Sequence, residues 1–131
     1  MRSPFQGHQP AQRANAAGQT GVHLCAEMLP SVTLISTWIS GLPGLRNALA
    51  EVLGQALPQH TGETLRTAQG LLVHTAPEEF MLIGEDATDR CTLLRSVIGT
   101  DMGAITDLTH ARCRIHISGM QCRSTLSKLF A

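Results

Sequence analysis

Ser31-Val-Thr-Leu-Ile-Ser-Thr-Trp38-Ile-Ser-Gly-Leu-Pro-Gly-Leu45-Arg-Asn-Ala-Leu-Ala-Glu-Val-Leu-Gly54 is the stretch on which the fold turns. Its first part alternates Val32, Leu34, Ser36 and Trp38 with Thr33, Ile35, Thr37 and Ile39, and β-branched residues dominate it. Such residues lose little rotamer freedom on a pleated surface, so this part predicts a strand. Gly41-Leu42-Pro43-Gly44 breaks the alternation. Leu45, Leu49, Val52 and Leu53 then recur at i, i+4, i+7 and i+8, one face of a helix. Gly54 suits the left-handed residue that stops one.

Toward the C-terminus, Leu65 to Thr75 reads as a second strand, and Ala76-Pro77-Glu78 as a turn. Phe80 to Ile83 reads as a third strand, the two strands forming a hairpin. Asp86 is placed to cap a helix, along which Ala87, Cys91, Leu94 and Ile98 share a face, with Gly99 as the stop. Ala104 to Ile117 is the next extended region. In its second part Cys113, Ile115 and Ile117 point one way and Arg112, Arg114 and His116 the other, a half-buried strand with a basic face. Ser118-Gly119 opens a third helix with Cys122, Leu126, Leu129 and Phe130 on its apolar side. The order β-α-β-β-α-β-α gives an α+β domain with an antiparallel or mixed sheet. A ferredoxin-like layer built from split βαβ units, with helices on one face, generates that order.

Toward the N-terminus the pattern is lost. Residues 1–28 read as a disordered tail, since the stretch from Gln6 to Gly21 is rich in Gln, Ala, Gly and Asn and shows no apolar period. The ordered domain is therefore expected over residues 29–131.

Composition narrows the function. The 131 residues suit one domain; apolar residues make up 43% and charged ones 15%, against about 25% in an average soluble domain. So few charges hint that part of the surface is covered by a partner. Net charge is zero, and the aromatics are Phe5, Trp38, Phe80 and Phe130, so there is neither the basic stripe nor the stacking platform of a nucleic-acid binder. The apolar stretch Val32 to Leu45 is too short and too polar for a membrane span. Cys25, Cys91, Cys113 and Cys122 form no CxxC pair and follow no secretory signal, which reads as reduced thiols in a cytoplasmic protein. Cys91, Cys113 and Cys122 read as core residues.

Candidate chemistry is sparse. His110-x-x-Cys113-x-x-His116 has poor metal geometry, because on a strand residue 113 faces away from 110 and 116. No local signature selects a Cys/His nucleophile, and Gly41-x-x-Gly44 lacks the rest of a phosphate loop. No catalytic, cofactor-binding or metal-ligating residue is assigned. The densest polar cluster is Asp107-Leu-Thr109-His110-x-Arg112. Asp107 and Thr109 can bond backbone groups in a turn that His110 orders. Alternatively Asp107, Thr109, His110, Arg112 and Arg114 form a subunit contact, the arginines pairing with a partner's carboxylates.

The run Asp107-Leu-Thr-His-Ala-Arg-Cys-Arg-Ile-His-Ile-Ser-Gly119 resembles the gamma subunits of heterotetrameric sarcosine oxidase, through Asp107, Thr109, His110, Arg112, Ile115, Ile117, Ser118 and Gly119. Arg123, Leu126 and Lys128 fit the same pattern. A looser likeness extends to folate-dependent aminomethyltransferases, including the glycine-cleavage T protein. Met120 stands where the family has Pro, and the chain stops at Phe130-Ala131 where the family continues with further strands, which reads as a C-terminal shortening. The resemblance implies an accessory subunit, without catalytic residues or cofactor of its own, partnered by alpha, beta and delta subunits. It further implies an oxidoreductase complex that demethylates sarcosine to glycine, forms hydrogen peroxide and passes the one-carbon unit to tetrahydrofolate. FAD, FMN, NAD, zinc and tetrahydrofolate then belong to the partner subunits. The competing readings are a stand-alone folate-binding or aminomethyltransferase-like module and a non-enzymatic structural or regulatory domain.

Overall fold

In the computed structural model, which describes residues 11–14, 18, 20–29, 31–85 and 89–129, the elements run in chain order as β1 (Ala11–Ala14), β2 (Thr20–Met28), β3 (Ser31–Thr37), α1 (Leu42–Leu53), β4 (Thr64–Thr67), β5 (Gly70–Ala76), β6 (Glu79–Gly84), α2 (Arg90–Val97), β7 (Gly103–Asp107), β8 (Cys113–Ser118) and α3 (Cys122–Leu126). Short 3₁₀ turns cover Ile39–Gly41 and Thr109–Ala111. The strands form two antiparallel sheets, β4-β5-β6-β3-β7 and β1-β2-β8. The chain divides into two compact units, residues 29–112 and residues 1–28 with 113–131.

The larger unit has the expected ferredoxin-like topology. In β3-α1-β5 and β6-α2-β7 each helix links two strands that run the same way. Interleaving the two units gives the order β5-β6-β3-β7, with β4 added outside β5. Leu45, Leu49 and Leu53 of α1, Cys91 and Leu94 of α2, and Ile98 just beyond it pack with Ile35, Leu72, Phe80, Leu82 and Ile105 of the sheet in a single apolar cluster. The alternation from Ser31 sorts the faces: Thr33, Ile35 and Thr37 lie on the helix-covered side, with the Thr33 hydroxyl 3.3 Å from the Cys91 sulfur. The opposite side carries Val32, Leu34, Leu71, Val73, Met81 and Ile83, which the strand register sets beside one another.

Helix α1 begins at Leu42, earlier than the sequence break implies, because Pro43 falls in its first turn, where a missing N–H costs nothing. Gly54 closes it at φ 68°. The span read as one strand from Leu65 to Thr75 is two strands joined by a tight turn at Ala68-Gln69. Gly70, at φ 132°, permits the return, and its Cβ position would run into the Ile83 carbonyl. The Asp86 cap and Ala87 lie outside the described residues; the N-cap of α2 is Asp89, whose carboxylate accepts the Thr92 N–H at 3.1 Å. That helix ends on extended Ile98 rather than on a left-handed Gly99, whose carbonyl instead accepts the N–H groups of Met102 and Gly103. The extended region from Ala104 to Ile117 is broken by the 3₁₀ turn, and β7 and β8 enter different sheets.

The smaller unit corrects two expectations. Residues 20–28, read as tail, form a strand paired with β8 from His23↔Ser118 to Met28↔Cys113, and residues 11–14 pair with that strand in turn. A sheet needs only an extended partner, so this stretch is ordered by pairing across some ninety residues of chain. Residues 1–10 lie outside the described residues. The ordered domain therefore does not begin at residue 29, and its C-terminal part joins the N-terminal strands rather than residues 29–112. The third helix is one short turn and a half, with no buried residue; Cys122 and Leu126 are half-buried, Leu129 is exposed, and Phe130 is outside the described residues. Gln121 N–H donates to the Gly21 carbonyl at 2.9 Å, which ties its start to β2.

Candidate functional site

Strand β7 ends at Asp107 and leads into a hydrogen-bonded clip. The Asp107 carboxylate accepts the Thr109 N–H at 2.8 Å, and the Thr109 hydroxyl accepts the Val32 N–H at 3.0 Å. Leu108 N–H donates to the Val32 carbonyl at 2.8 Å. A short polar side chain two residues upstream bends the backbone, and the threonine then serves the start of the inner strand β3. Hydrogen bonds from Thr109, its side chain first and its backbone N–H second, hold the Asp107 carboxyl below the usual carboxylate range, and the nearby His110 adds to this. Asp107 and Thr109 are thus occupied in building the turn.

His110 and Arg112 stand exposed on that turn. Arg112 Nη1 donates only to the carbonyl of its neighbour Ala111, at 3.2 Å, and among the described residues neither side chain makes an ion pair. Both remain available as polar contacts for a partner. Arg114 belongs to the other unit. Its Nε and Nη2 donate to Glu27 Oε2 at 2.9 and 2.8 Å across the β2–β8 ladder, where the two residues are directly opposite. The pair is solvent-exposed, so it contributes about 1 kcal/mol at most and chiefly fixes register. The five residues singled out in the sequence therefore divide among a structural clip, two exposed groups and a cross-strand ion pair.

The His110, Cys113 and His116 run is split between the 3₁₀ turn and β8. On β8, three residues apart, Cys113 and His116 point to opposite faces. Among the described residues no three His, Cys, Asp or Glu side chains are placed to hold a metal ion. Cys91 is buried, whereas Cys113 and Cys122 are half-buried. No described helix is long and apolar enough to cross a membrane.

Sequence reasoning missed a set of exposed apolar side chains. Trp38 is 49% and Ile39 80% exposed just ahead of α1, while Leu93 and Val97 are exposed on α2. Trp38 is nevertheless held, its Nε1–H donating to the Thr100 carbonyl at 2.9 Å. A fixed, half-exposed indole offers much apolar area at little entropic cost, which is the chemistry of interface anchors. The helical period contained part of this signal: Leu93 and Val97 are i, i+4 neighbours off the face that carries Cys91, Leu94 and Ile98. Trp38 was indistinguishable from an alternating strand residue.

No family model matches the chain. The sarcosine oxidase subunit gamma of Arthrobacter sp is 33% identical to it over 82 residues, 62% of this chain and 40% of the relative. The subunit gamma of Corynebacterium sp. (strain P-1) is 30% identical over the same length, with the same coverage. Over these 82 residues the chain is similar to sarcosine oxidase gamma subunits. It spans about two fifths of the length of these gamma subunits, so the likeness covers part of each. A solved chain of the heterotetrameric sarcosine oxidase from Corynebacterium sp. U-96, in complex with pyrrole 2-carboxylate, matches with a TM-score of 0.67 at 23% identity. That match covers 82% of this chain and 54% of the solved one, and it shows a shared fold.

Proposed function

We propose that this chain is an accessory, cofactor-free subunit of a flavin-dependent, sarcosine oxidase-like complex. The complex would demethylate sarcosine or a related N-methyl amine to the free amine, with peroxide formation and one-carbon transfer to tetrahydrofolate on its partner subunits. The observation that carries the reading is the identity of 33% and 30% with two gamma subunits. The surface supports it: Trp38, Ile39, Leu93 and Val97 are apolar groups whose burial against a partner would be favourable, and His110 and Arg112 are exposed polar groups without ion-pair partners among the described residues. Flavin, nicotinamide and zinc are assigned to the partners.

The test is to tag the chain, purify it from its host and identify what accompanies it. Stoichiometric flavin-bearing large subunits, sarcosine-dependent peroxide formation by the purified complex, and no flavin absorbance or metal in the chain once separated are expected. A chain that purifies alone, or that itself retains flavin, overturns the proposal.

A further inference from the structure

The smaller unit has strands but no core of its own. Among the described residues none of its side chains is buried, whereas the apolar cluster of the chain lies wholly within the larger unit. The register of β2 and β8 nevertheless sorts their residues by face. Leu24 stands opposite Ile117 and Ala26 opposite Ile115, while His23, Cys25 and Glu27 stand opposite Ser118, His116 and Arg114. Residues directly opposite one another share a face, so one side of this sheet is apolar and the other polar. On the apolar side Ile115 is 53% and Leu24 39% exposed, Ala26 is exposed between them in the register, and Ile117 is half-buried. Strand pairing alone holds so small a sheet weakly, and covering an apolar face supplies the missing stabilisation. A contiguous apolar face left to water marks an interaction site.

Charge selects what can cover it. Residues 1–28 and 113–131 contain five Arg and Lys but a single carboxylate, Glu27, and Arg114 holds that one at 2.8 Å. Arg123 on α3 and Lys128 just beyond it are exposed, and neither has a carboxylate partner among the described residues. Helix α3 is tied to β2 through the Gln121 N–H and the Gly21 carbonyl, so these cations adjoin the sheet. A second copy set face to face would bring like charges together, whereas a partner with carboxylates around an apolar patch would neutralise them. We propose that the apolar face of the β2–β8 sheet docks on a partner subunit that presents an apolar patch rimmed by Asp and Glu. This rests on the multi-subunit reading above and adds to it the surface of contact and the chemistry of the partner. Leu24, Ala26 and Ile115 supply the buried centre of the contact, and Arg123 and Lys128 its charged rim.

The experiment purifies the tagged full chain from its host, separates the accompanying subunits and measures their rebinding to the chain and to two double variants. Leu24→Thr with Ile115→Thr keeps good strand formers while removing apolar area, and it should weaken rebinding by about tenfold or more. Arg123→Glu with Lys128→Glu should slow association, most strongly at low salt. Amide ¹H–¹⁵N spectra of the isolated variants should keep the parent's dispersion, which separates lost contact from lost fold. If the parent chain binds its subunits and the threonine variant, folded, binds them equally well, the docking face is wrong while the complex stands. If the parent chain brings down no subunits, the multi-subunit reading fails and this one with it. Charge reversal without effect on association overturns the acidic character of the partner. Sedimentation showing a dimer of the isolated chain that the threonine variant dissolves, or parent binding to phosphatidylglycerol vesicles that the same variant loses, overturns the proposal in favour of a second copy or of an anionic membrane.

Discussion

Thr109 illustrates how much one hydroxyl can hold. Its oxygen is the acceptor for the N–H of Val32, a residue with no solvent exposure, so water has no route to replace it. Thr109→Val keeps the shape and removes the acceptor. We expect a loss of about 1–3 kcal/mol in urea unfolding, the cost of an unpaired buried donor, with Thr109→Ser restoring most of it. Asp107, beside it, gives a pH signature. Its carboxyl is held low in the folded state, so the folded form binds its proton less readily than the unfolded chain, whose value is about 3.9. The resulting stabilisation is present above that value and is lost as pH falls through the folded one. Urea midpoints measured from about pH 6 down to 2.5 should therefore fall more gently for Asp107→Asn than for the parent chain, the two converging at the acid end. Asp89 and Glu63 are held low in the same way by their own hydrogen bonds, so the slope is reduced and not abolished.

Elements are joined here by glycines of two kinds, and substitution separates them. Gly54 ends α1 in the left-handed region, and a Cβ there would meet nothing within 4 Å. Gly54→Ala should therefore cost only the backbone strain of that conformation, about 1–2 kcal/mol by thermal melting. Gly103, on β7, has an ordinary backbone, yet its Cβ position overlaps the Ser36 carbonyl and comes close to Thr37 and Leu45. Gly103→Ala must push β7 away from β3, and the expected result is lost amide-exchange protection along the β3–β7 ladder together with a larger drop in melting temperature than Gly54→Ala gives. Only the first of these was legible from position in the sequence: Gly54 follows a helical period, whereas Gly103 is explained by the approach of a strand about sixty-seven residues away.

For the whole molecule, the apolar cluster lies entirely between Ile35 and Ile105. The larger unit thus contains its own core and all five strands of its sheet. A fragment of residues 29–112 is expected to show native-like circular dichroism and a cooperative melt. A non-cooperative melt would mean that this core does not suffice by itself.

Local chemistry by itself determined most of that larger unit. The alternation from Ser31, the leucine period from Leu45, the turn at Pro77 and the period through Cys91, Leu94 and Ile98 each act within a few residues, and together they dictate the βαββαβ order. The Asp107–Thr109 turn was legible for the same reason, since an Asx turn is a contact between neighbours. Where distant strands go is set by contacts that no local stretch of chain contains. β2 owes its order to a partner, β8, that begins more than eighty residues downstream. Arg114 read as a contact for a partner's carboxylate until the register set Glu27 opposite it, and His74 read as one more strand residue until Phe80 stacked on it. Propensity and period report the chain's neighbours in sequence, whereas pairing and burial depend on groups that only the folded chain brings within reach.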